Sequence, residues 1–126
     1  MKYLIKILVF SLLLTPATVH ARELKASWYS RASLVKEGTW KNGKSQPMAN
    51  GKQFYDNLLV AASRDYPLGS RLMVHNRQNG RSVSVVVTDR IGKRFKGKRI
   101  DLSKGAFGKI ADHKQGIVEV QVEVIK

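Results

Sequence analysis

The 126-residue chain contains no cysteine, and this absence excludes several kinds of chemistry. Without a thiol there is no disulfide framework, thiolate zinc site, iron–sulfur cluster or cysteine nucleophile. Histidine is scarce too, and His75 and His113 have no third ligand at zinc spacing. Gly105 and Gly108 lack the Lys-Ser or Lys-Thr pair that ends a phosphate-binding loop. We therefore expect no metal and no other cofactor.

Long hydrophobic runs are also missing, apart from one at the N-terminus. Lys2 and Lys6 precede the apolar stretch 7–14, and residues 15–21 end in small side chains suited to a signal peptidase. The run is shorter than the ~20 residues that span a bilayer. This order is typical of a secretory signal peptide, with a buried N-terminal helix as the alternative. We expect residues 1–21 to be removed, and a soluble exported protein, periplasmic or extracellular. Because no cysteine follows the run, no lipid anchor to the membrane is expected.

Acidic residues are few, and the excess of positive charge is clustered. The chain has 9 Asp and Glu against 23 Lys and Arg, a formal net charge of +14. An exported basic protein meets anionic envelope polymers more often than nucleic acid, so no nucleic-acid partner is expected. A solvated basic loop is the alternative to a polyanion-binding patch. The cluster consists of Arg90, Lys93, Arg94, Lys96, Lys98 and Arg99.

Hydrophobic side chains recur with a period of two through most of the remaining chain, which has the length of one domain. The turn signal Asn79-Gly80 separates two of the strands that this period indicates. Val83, Val85 and Val87 in the second of them suggest a central, buried strand. The predicted strands cover 24–29, 58–62, 71–76, 81–88 and 118–124.

Two segments depart from the strand period. Ser103 suits a helix N-cap, and residues 104–111 place Ala106, Phe107 and Ile110 on one helical face. Residues 31–57 are predicted to be a long irregular segment, of a length that is often functional. Five or six short strands with one short helix indicate a small β-barrel, closed so that no long apolar edge is exposed.

Seven short blocks follow one another along residues 24–124. They resemble the rare lipoprotein A (RlpA) family, whose double-psi β-barrel is shared with expansins and some lytic transglycosylases. The resemblance implies a mainly β fold, a small six-stranded double-psi β-barrel with one short helix, in a single domain over 22–126. It also implies an envelope protein that acts on peptidoglycan glycan strands, in the better-studied members by cleaving them without hydrolysis; we expect a monomer. The blocks are Ala26–Tyr29, Met48–Gly51, Leu59–Ala62, Pro67–Ser70, Asn76 with Asn79–Val83, Val87–Arg90 and Arg99–Ser103.

Two positions depart from the family pattern. Active family members typically have Glu after the Asn-Gly pair and His after the Ala-Ala pair, where this chain has Lys52 and Ser63. A carboxylate and an imidazole are thus replaced by a cation and a hydroxyl. Two groups able to transfer protons are absent, which by itself favours a binding module, whereas the resemblance to the family favours an enzyme and is given slightly more weight.

Two acids remain at family positions, Asp89 and Asp101. A lytic transglycosylase needs one carboxyl group, because the sugar's own 6-hydroxyl is the nucleophile: the acid protonates the leaving oxygen and then accepts the hydroxyl proton. In expansins and related transglycosylases the acid resembling Asp101 is critical, whereas in the RlpA family Asp89 matches a functional acid. The structural alternatives are a helix-start contact for Asp101 and an ion pair with Arg90 or Arg99 for Asp89. The surrounding cations are expected to keep both acids ionised.

Aromatic rings, hydroxyls and cations supply the candidates for substrate binding, since rings stack on the apolar faces of sugars. Trp28 is in phase with the core and is expected to be buried instead. The candidates are Ser27, Tyr29, Trp40, Asn50, Lys52, Tyr55, Ser63, Thr88, Arg90 and Arg99.

Three functions remain open on the sequence. The first is a transglycosylase-like enzyme that uses Asp101 or Asp89 on peptidoglycan. The second is an expansin-like module that binds and loosens the wall without cleaving it. Binding of extracellular nucleic acid or lipid through residues 90–99 is the weakest of the three.

Overall fold

The computed structural model describes residues 21–38, 40–41 and 44–126. The predicted signal peptide lies outside these residues except for Ala21. None of the helices in the described part of the chain is long and apolar enough to cross a membrane. The elements are β1 (Arg22–Tyr29), α1 (Arg31–Lys36), β2 (Trp40–Lys41), β3 (Lys44–Ser45), β4 (Val60–Ala62), β5 (Arg71–Asn76), β6 (Ser82–Asp89), β7 (Arg99–Ser103), α2 (Lys104–Ile110) and β8 (Val118–Val124), with 3-10 turns at Lys93–Phe95 and His113–Gln115.

Six strands close into a barrel in the order β1-β7-β4-β6-β5-β8. Two neighbouring pairs, β1 with β7 and β4 with β6, run parallel, and the other pairs run antiparallel. Parallel neighbours require crossover connections, so strands distant in sequence become adjacent. The fold is the predicted six-stranded double-psi β-barrel. Closure leaves these strands without a free edge.

Alternating side chains of the strands fill the barrel, as the period of two predicts. Leu72, Val74, Val120 and Val122 are completely buried. Trp28 packs against this core as expected, and its indole Nε1 donates a hydrogen bond to the carbonyl of His113 over 3.1 Å. Burial of these side chains, at about 25 cal/mol per Å² of apolar surface, is the main stabilising contribution in a chain without disulfides.

Helix α2 begins where the sequence predicts. The Ser103 hydroxyl accepts a hydrogen bond from the Ala106 N–H and donates one to the Leu58 carbonyl. Gly105 permits close packing, since a Cβ there would lie 2.8 Å from the Asp56 carbonyl oxygen. The helix therefore ties the end of β7 to the segment that precedes β4.

The segment 31–57 is less irregular than predicted, since it contains a short helix in addition to the main helix α2. Helix α1 forms there because Ser30 and Ser33 make a reciprocal capping box, each side chain accepting a backbone N–H from the other residue. Strands β2 and β3 pair antiparallel in the same segment. Serine at both capping positions is a weaker sequence signal than the usual Ser-x-x-Glu, which explains why this helix was not predicted.

Candidate functional site

Four residues lie side by side across the outer face of the barrel, one on each of four adjacent strands. Ser27 pairs with Asp101, Asp101 pairs with Ala62, and Ala62 pairs with Asp89. Residues directly opposite each other on neighbouring strands point to the same face of a sheet. At a strand spacing of ~4.8 Å, the Cα atoms of the two acids lie about 10 Å apart. The two predicted catalytic residues are therefore brought to one surface, which we call the acid row.

A β-bulge is responsible for the placement of Asp89. Ala61 pairs with Val87 and the next residue, Ala62, pairs with Asp89, so that Thr88 is the extra residue. Val87 points into the barrel and is completely buried. Without the extra residue, Thr88 would occupy the position beside Ala62, and Asp89 would face the other way. The hydrophobic pattern of the sequence does not predict this local irregularity.

Asp101 is a half-buried acid whose carboxyl group is easier to protonate than usual. Its Oδ1 accepts a hydrogen bond from the Ser27 hydroxyl over 3.1 Å. Burial raises the pKa of Asp101 from 3.8 to about 6, and the charges of Glu37 and Asp89 add to this effect. The Ser27 hydrogen bond and the charge of Arg99 lower the pKa but are outweighed. The sequence predicts that nearby cations keep Asp101 ionised, but desolvation outweighs their effect and moves the pKa of Asp101 towards neutral pH.

Asp89 is held by backbone N–H groups and not by an arginine. Its Oδ1 accepts hydrogen bonds from the N–H of Ala49 over 3.0 Å and of Arg90 over 2.8 Å. Neither Arg90 nor Arg99 forms an ion pair with it among the described residues. Asp101 likewise makes no helix-capping contact, because Ser103 caps α2. Both structural alternatives considered for the acids are therefore wrong.

Tyr29 presents a buried hydroxyl group beside the two acids. It lies on the same strand face as Ser27, two residues further along β1, and its ring packs on Phe54 with the centroids 4.6 Å apart. The hydroxyl has no hydrogen-bond partner in the described part of the chain. Burial, followed by the charges of Asp89 and Asp101, raises the pKa of Tyr29 above its ordinary value of 10. The hydroxyl group therefore stays protonated, and it donates no hydrogen bond within the described part of the chain, which is rare for a buried polar group.

The turn at residues 48–52 lies against the Asp89 end of the acid row. The N–H of Asn50 donates to the Thr88 carbonyl, and the Asn50 side chain accepts from the Lys52 N–H, which closes the turn. Asn50 and Lys52 are exposed. Thr88 is 7% exposed, and its hydroxyl donates to the sulfur of Met48. The turn thus brings Asn50 and Lys52 to the site, while Thr88 supports it from beneath.

Ser63 and Arg90 connect loops and present little to solvent. Ser63 is completely buried, and its hydroxyl accepts the Asp65 N–H over 3.0 Å. Arg90 is half-buried, and its Nη1 donates to the carbonyls of Ser63 and Tyr66. The structure does not bring the Ser63 side chain to the surface where a substrate would lie.

The remaining candidates are spread around the site. The positive charge of Arg99 lowers the pKa of Asp101. The Arg99 guanidinium stacks on Phe95, 4.5 Å from the ring centroid. Tyr55 is 57% exposed, next in sequence to the buried Phe54. The backbone of Trp40 belongs to β2, and its side chain lies outside the described atoms.

Sequence reasoning missed one contributor, Glu37. It is the C-cap residue of α1, and its charge raises the pKa of Asp101. Glu37 belongs to a segment predicted to be irregular, and nothing in its surroundings in the sequence connects it with β7. The capping box of α1 is what places it within electrostatic reach.

A family model described as "Lytic transglycolase" matches residues 21–122. The chain belongs to this family. Its barrel is an RlpA-like double-psi β-barrel, as the motif blocks predict. A lytic transglycolase relative from Nostoc sp., named "Probable endolytic peptidoglycan transglycosylase RlpA", is 36% identical over 105 residues, which are 83% of this chain and 28% of that protein. The chain thus spans little more than a quarter of that relative's length.

Solved structures confirm the fold of this family member. The Streptomyces papain inhibitor superposes with a TM-score of 0.63 at 20% identity, covering 86% of this chain and 98% of the inhibitor. A mutant Clavibacter michiganensis expansin in complex with cellohexaose superposes with a TM-score of 0.54 at 20% identity. That match covers 84% of this chain and 50% of the expansin. At these identities the likeness concerns the fold alone.

Proposed function

We propose that this lytic transglycolase-family protein binds peptidoglycan glycan strands on the acid row and cleaves them without water. One observation carries the proposal: the strand pairing brings Ser27, Asp101 and Asp89 together on one outer face of the barrel, where burial raises the pKa of Asp101 to about 6. Such a carboxyl group exchanges protons readily near neutral pH, which an acid–base catalyst requires. The related Nostoc protein, named a peptidoglycan transglycosylase, supports the choice of substrate.

The proposed reaction needs one proton-transfer group and no second carboxylate. Protonated Asp101 gives its proton to the glycosidic oxygen as the bond from that oxygen to C1 breaks. The 6-hydroxyl of the same sugar attacks C1, and the Asp101 carboxylate takes the hydroxyl proton. The products are an anhydro sugar end and a free 4-hydroxyl end, and Asp101 returns to its starting state.

The neighbouring groups have supporting roles in this scheme. Ser27 orients the Asp101 carboxyl through its hydrogen bond. The Tyr29 hydroxyl, buried beside the two acids and without a partner in the described residues, is closed off from solvent and is assigned no sugar contact. Asp89 is held by two N–H groups and faces the positive charge that develops at C1. The exposed Asn50 and Lys52, in the turn against Asp89, border the strand-binding surface, and Tyr55 and Trp40 stay candidates for stacking on the sugar rings.

An expansin-like binding and loosening activity is the second candidate. It is favoured by Lys52, a cation at the position of the family's Glu, and by the burial of Ser63 at the position of its His. Incubating the protein with purified peptidoglycan and analysing the soluble fraction by mass spectrometry separates the two. Anhydro-muropeptides support the enzyme; their absence, together with wall binding and loosening that require Asp101, supports the binder.

We further propose that the protein is exported and acts as a monomer outside the inner membrane. The order of charge, apolar run and small residues over 1–21 supports export. N-terminal sequencing of the protein from cells should find Arg22 or a residue close to it. Retention of Met1 on soluble cytoplasmic protein would contradict the proposal.

A further inference from the structure

The six cations of residues 90–99 do not form one patch in the fold. Lys98 and Arg99 line a cavity of about 470 Å³ that also contains Glu23 and Glu119. Arg90, Lys93 and Lys96 line a separate cavity of about 660 Å³, and Arg94 lines neither of these two. The charge environments of the two cavities therefore differ.

The second cavity, which we call the cationic pocket, is formed almost entirely by basic and apolar residues. Arg64 joins it from the loop after β4, a residue that the charge cluster in the sequence did not include. Its one acid, Asp65, is already neutralised, since it accepts from Arg22 over 3.1 Å and from the Gly97 N–H. The lining consists of Arg64, Asp65, Tyr66, Pro67, Arg90, Lys93 and Lys96.

Two of the four cations are held in fixed positions. The Arg64 Nε donates to the Ile91 carbonyl over 2.7 Å, and the Arg90 Nη1 donates to two carbonyls. Each guanidinium keeps further N–H groups that form no hydrogen bond within the described part of the chain. Ordering these side chains in advance reduces the entropy lost when a ligand binds. Tyr66 adds a buried hydroxyl that also lacks a partner there.

In the first cavity, by contrast, two carboxylates lie among the cations. Arg77 forms ion pairs with Glu23 over 3.3 Å and with Glu119 over 3.5 Å. Arg94 and Arg99 both stack on Phe95. An anion entering this cavity would meet two carboxylates, which the cationic pocket does not present.

We propose that the cationic pocket is a binding site for a phosphate group. Four cations around one neutralised acid match an anionic phosphate group with several acceptor oxygens, and arginine forks suit phosphate geometry. Arg90 directly follows Asp89 in the chain, so a phosphate bound here holds its carrier beside the acid row. The two sources of such a group outside the inner membrane are phosphodiester polymers of the wall and phospholipid headgroups.

The test compares two double variants with the same loss of charge from the same segment. Lys93→Gln with Lys96→Gln changes the cationic pocket; Arg94→Gln with Lys98→Gln changes the other face and is the matched control. Inorganic phosphate is titrated into the full chain at constant ionic strength, with amide and guanidinium NMR shifts as the readout. We expect saturable shifts at Arg64 and Arg90, an affinity about tenfold lower in the pocket variant, and less than a twofold change in the control. Equal losses in both variants, or shifts that do not saturate, would overturn the proposal.

A second arm identifies the source of the phosphate. The wild type and both variants are sedimented with a glycerol-phosphate wall polymer on insoluble wall, and separately with phosphatidylglycerol vesicles at equal phosphate concentration. If the pocket variant is no longer retained on one carrier and the control still is, the result supports the site and identifies that carrier as the source of the phosphate. Retention on neither carrier overturns the proposal. The outcome is independent of cleavage, since neither variant alters the acid row.

Discussion

Asp89 and Asp101 flank Ala62 on the outer face of the barrel, each paired with it from a neighbouring strand. The two acids are 12 positions apart in the sequence, yet their proximity depends on a bulge in one strand pair and on the antiparallel contact of β4 with β7. Their environments differ: backbone N–H groups hold Asp89, whereas Asp101 is desolvated and hydrogen-bonded to a single hydroxyl. Different environments are what divide roles between two carboxyl groups in an active site.

Replacing Asp101 by Asn should stabilise the protein at neutral pH. The folded-state pKa is raised from 3.8 to about 6, so between these two pH values the folded protein holds a proton that the unfolded chain has lost. At neutral pH both states have lost it, and the folded protein then contains a desolvated carboxylate. The stability linked to this group is complete below about pH 4 and is lost as the pH rises through 6. Since one pKa unit corresponds to ~1.4 kcal/mol, Asp101→Asn should raise the free energy of unfolding at pH 7.5 by about 1–3 kcal/mol.

Urea denaturation at pH 4 and pH 7.5 measures this effect. The advantage of the variant should shrink at pH 4, where the wild-type carboxyl group is protonated. Glu23→Gln, on an exposed carboxylate, serves as the control and should show no such gain. A variant less stable than the wild type at pH 7.5 would show that the carboxylate is well stabilised in the folded state.

Removing the Ser27 hydroxyl should make Asp101 a weaker acid. The hydrogen bond from Ser27 favours the carboxylate, so Ser27→Ala should raise the pKa of Asp101 above 6. Carbon-detected NMR titration of the aspartate carboxyl groups reports the shift directly. Ser82→Ala removes a hydroxyl that instead contacts His75, and should leave the Asp101 titration unchanged. A fall in the pKa in Ser27→Ala would contradict the assigned role.

Removing the charge of Glu37 should act in the opposite direction. Its carboxylate disfavours ionisation of Asp101, so Glu37→Gln should lower the pKa of Asp101. In the same titration Glu119→Gln, on β8, is the matched control. The effect should decrease with added salt, because Glu37 is exposed and its field is screened. An unchanged Asp101 titration would place Glu37 outside the site.

The Tyr29→Phe substitution removes a buried hydroxyl group and keeps the aromatic ring. The group is buried without a partner in the described residues, so its removal should leave the free energy of unfolding unchanged or raise it by up to about 1 kcal/mol. The Phe54 contact is kept. Because the hydroxyl is closed off from solvent, affinity for glycan strands should be unchanged, as measured by sedimentation with peptidoglycan. A loss of affinity would show that the hydroxyl becomes accessible to the substrate.

Much of the fold could be predicted because its determinants are local. The alternation of valines in β8 and the Ser103 cap each specify an element within a few residues. The motif blocks also identified both acids. What could not be predicted depends on contacts across the barrel: the bulge beside Ala62, the electrostatic reach of Glu37, and the burial that raises the Asp101 pKa. Desolvation depends on the assembled surface. Counting the cations near Asp101 in the sequence predicts a lowered pKa, whereas burial raises it.

The division of the basic segment illustrates the same limit. In the sequence, residues 90–99 form one cluster of charge. In the fold, Phe95 gathers Arg94 and Arg99 on one side, while Lys93 and Lys96 turn towards Arg64 on the other. The direction of each side chain follows from the 3-10 turn at Lys93–Phe95, whose short length gives no recognisable sequence pattern.

The rate of anhydro-muropeptide release from purified peptidoglycan, measured from pH 4.5 to 8, reports directly on Asp101. If Asp101 is the acid–base group, the wild-type profile should have an inflection near pH 6, and Asp101→Asn should be slower by about 10²-fold or more across the range. The Tyr29→Phe protein should retain both the inflection and the wild-type rate. Anhydro product released equally fast by the wild type and by Asp101→Asn would show that Asp101 is not the acid–base group.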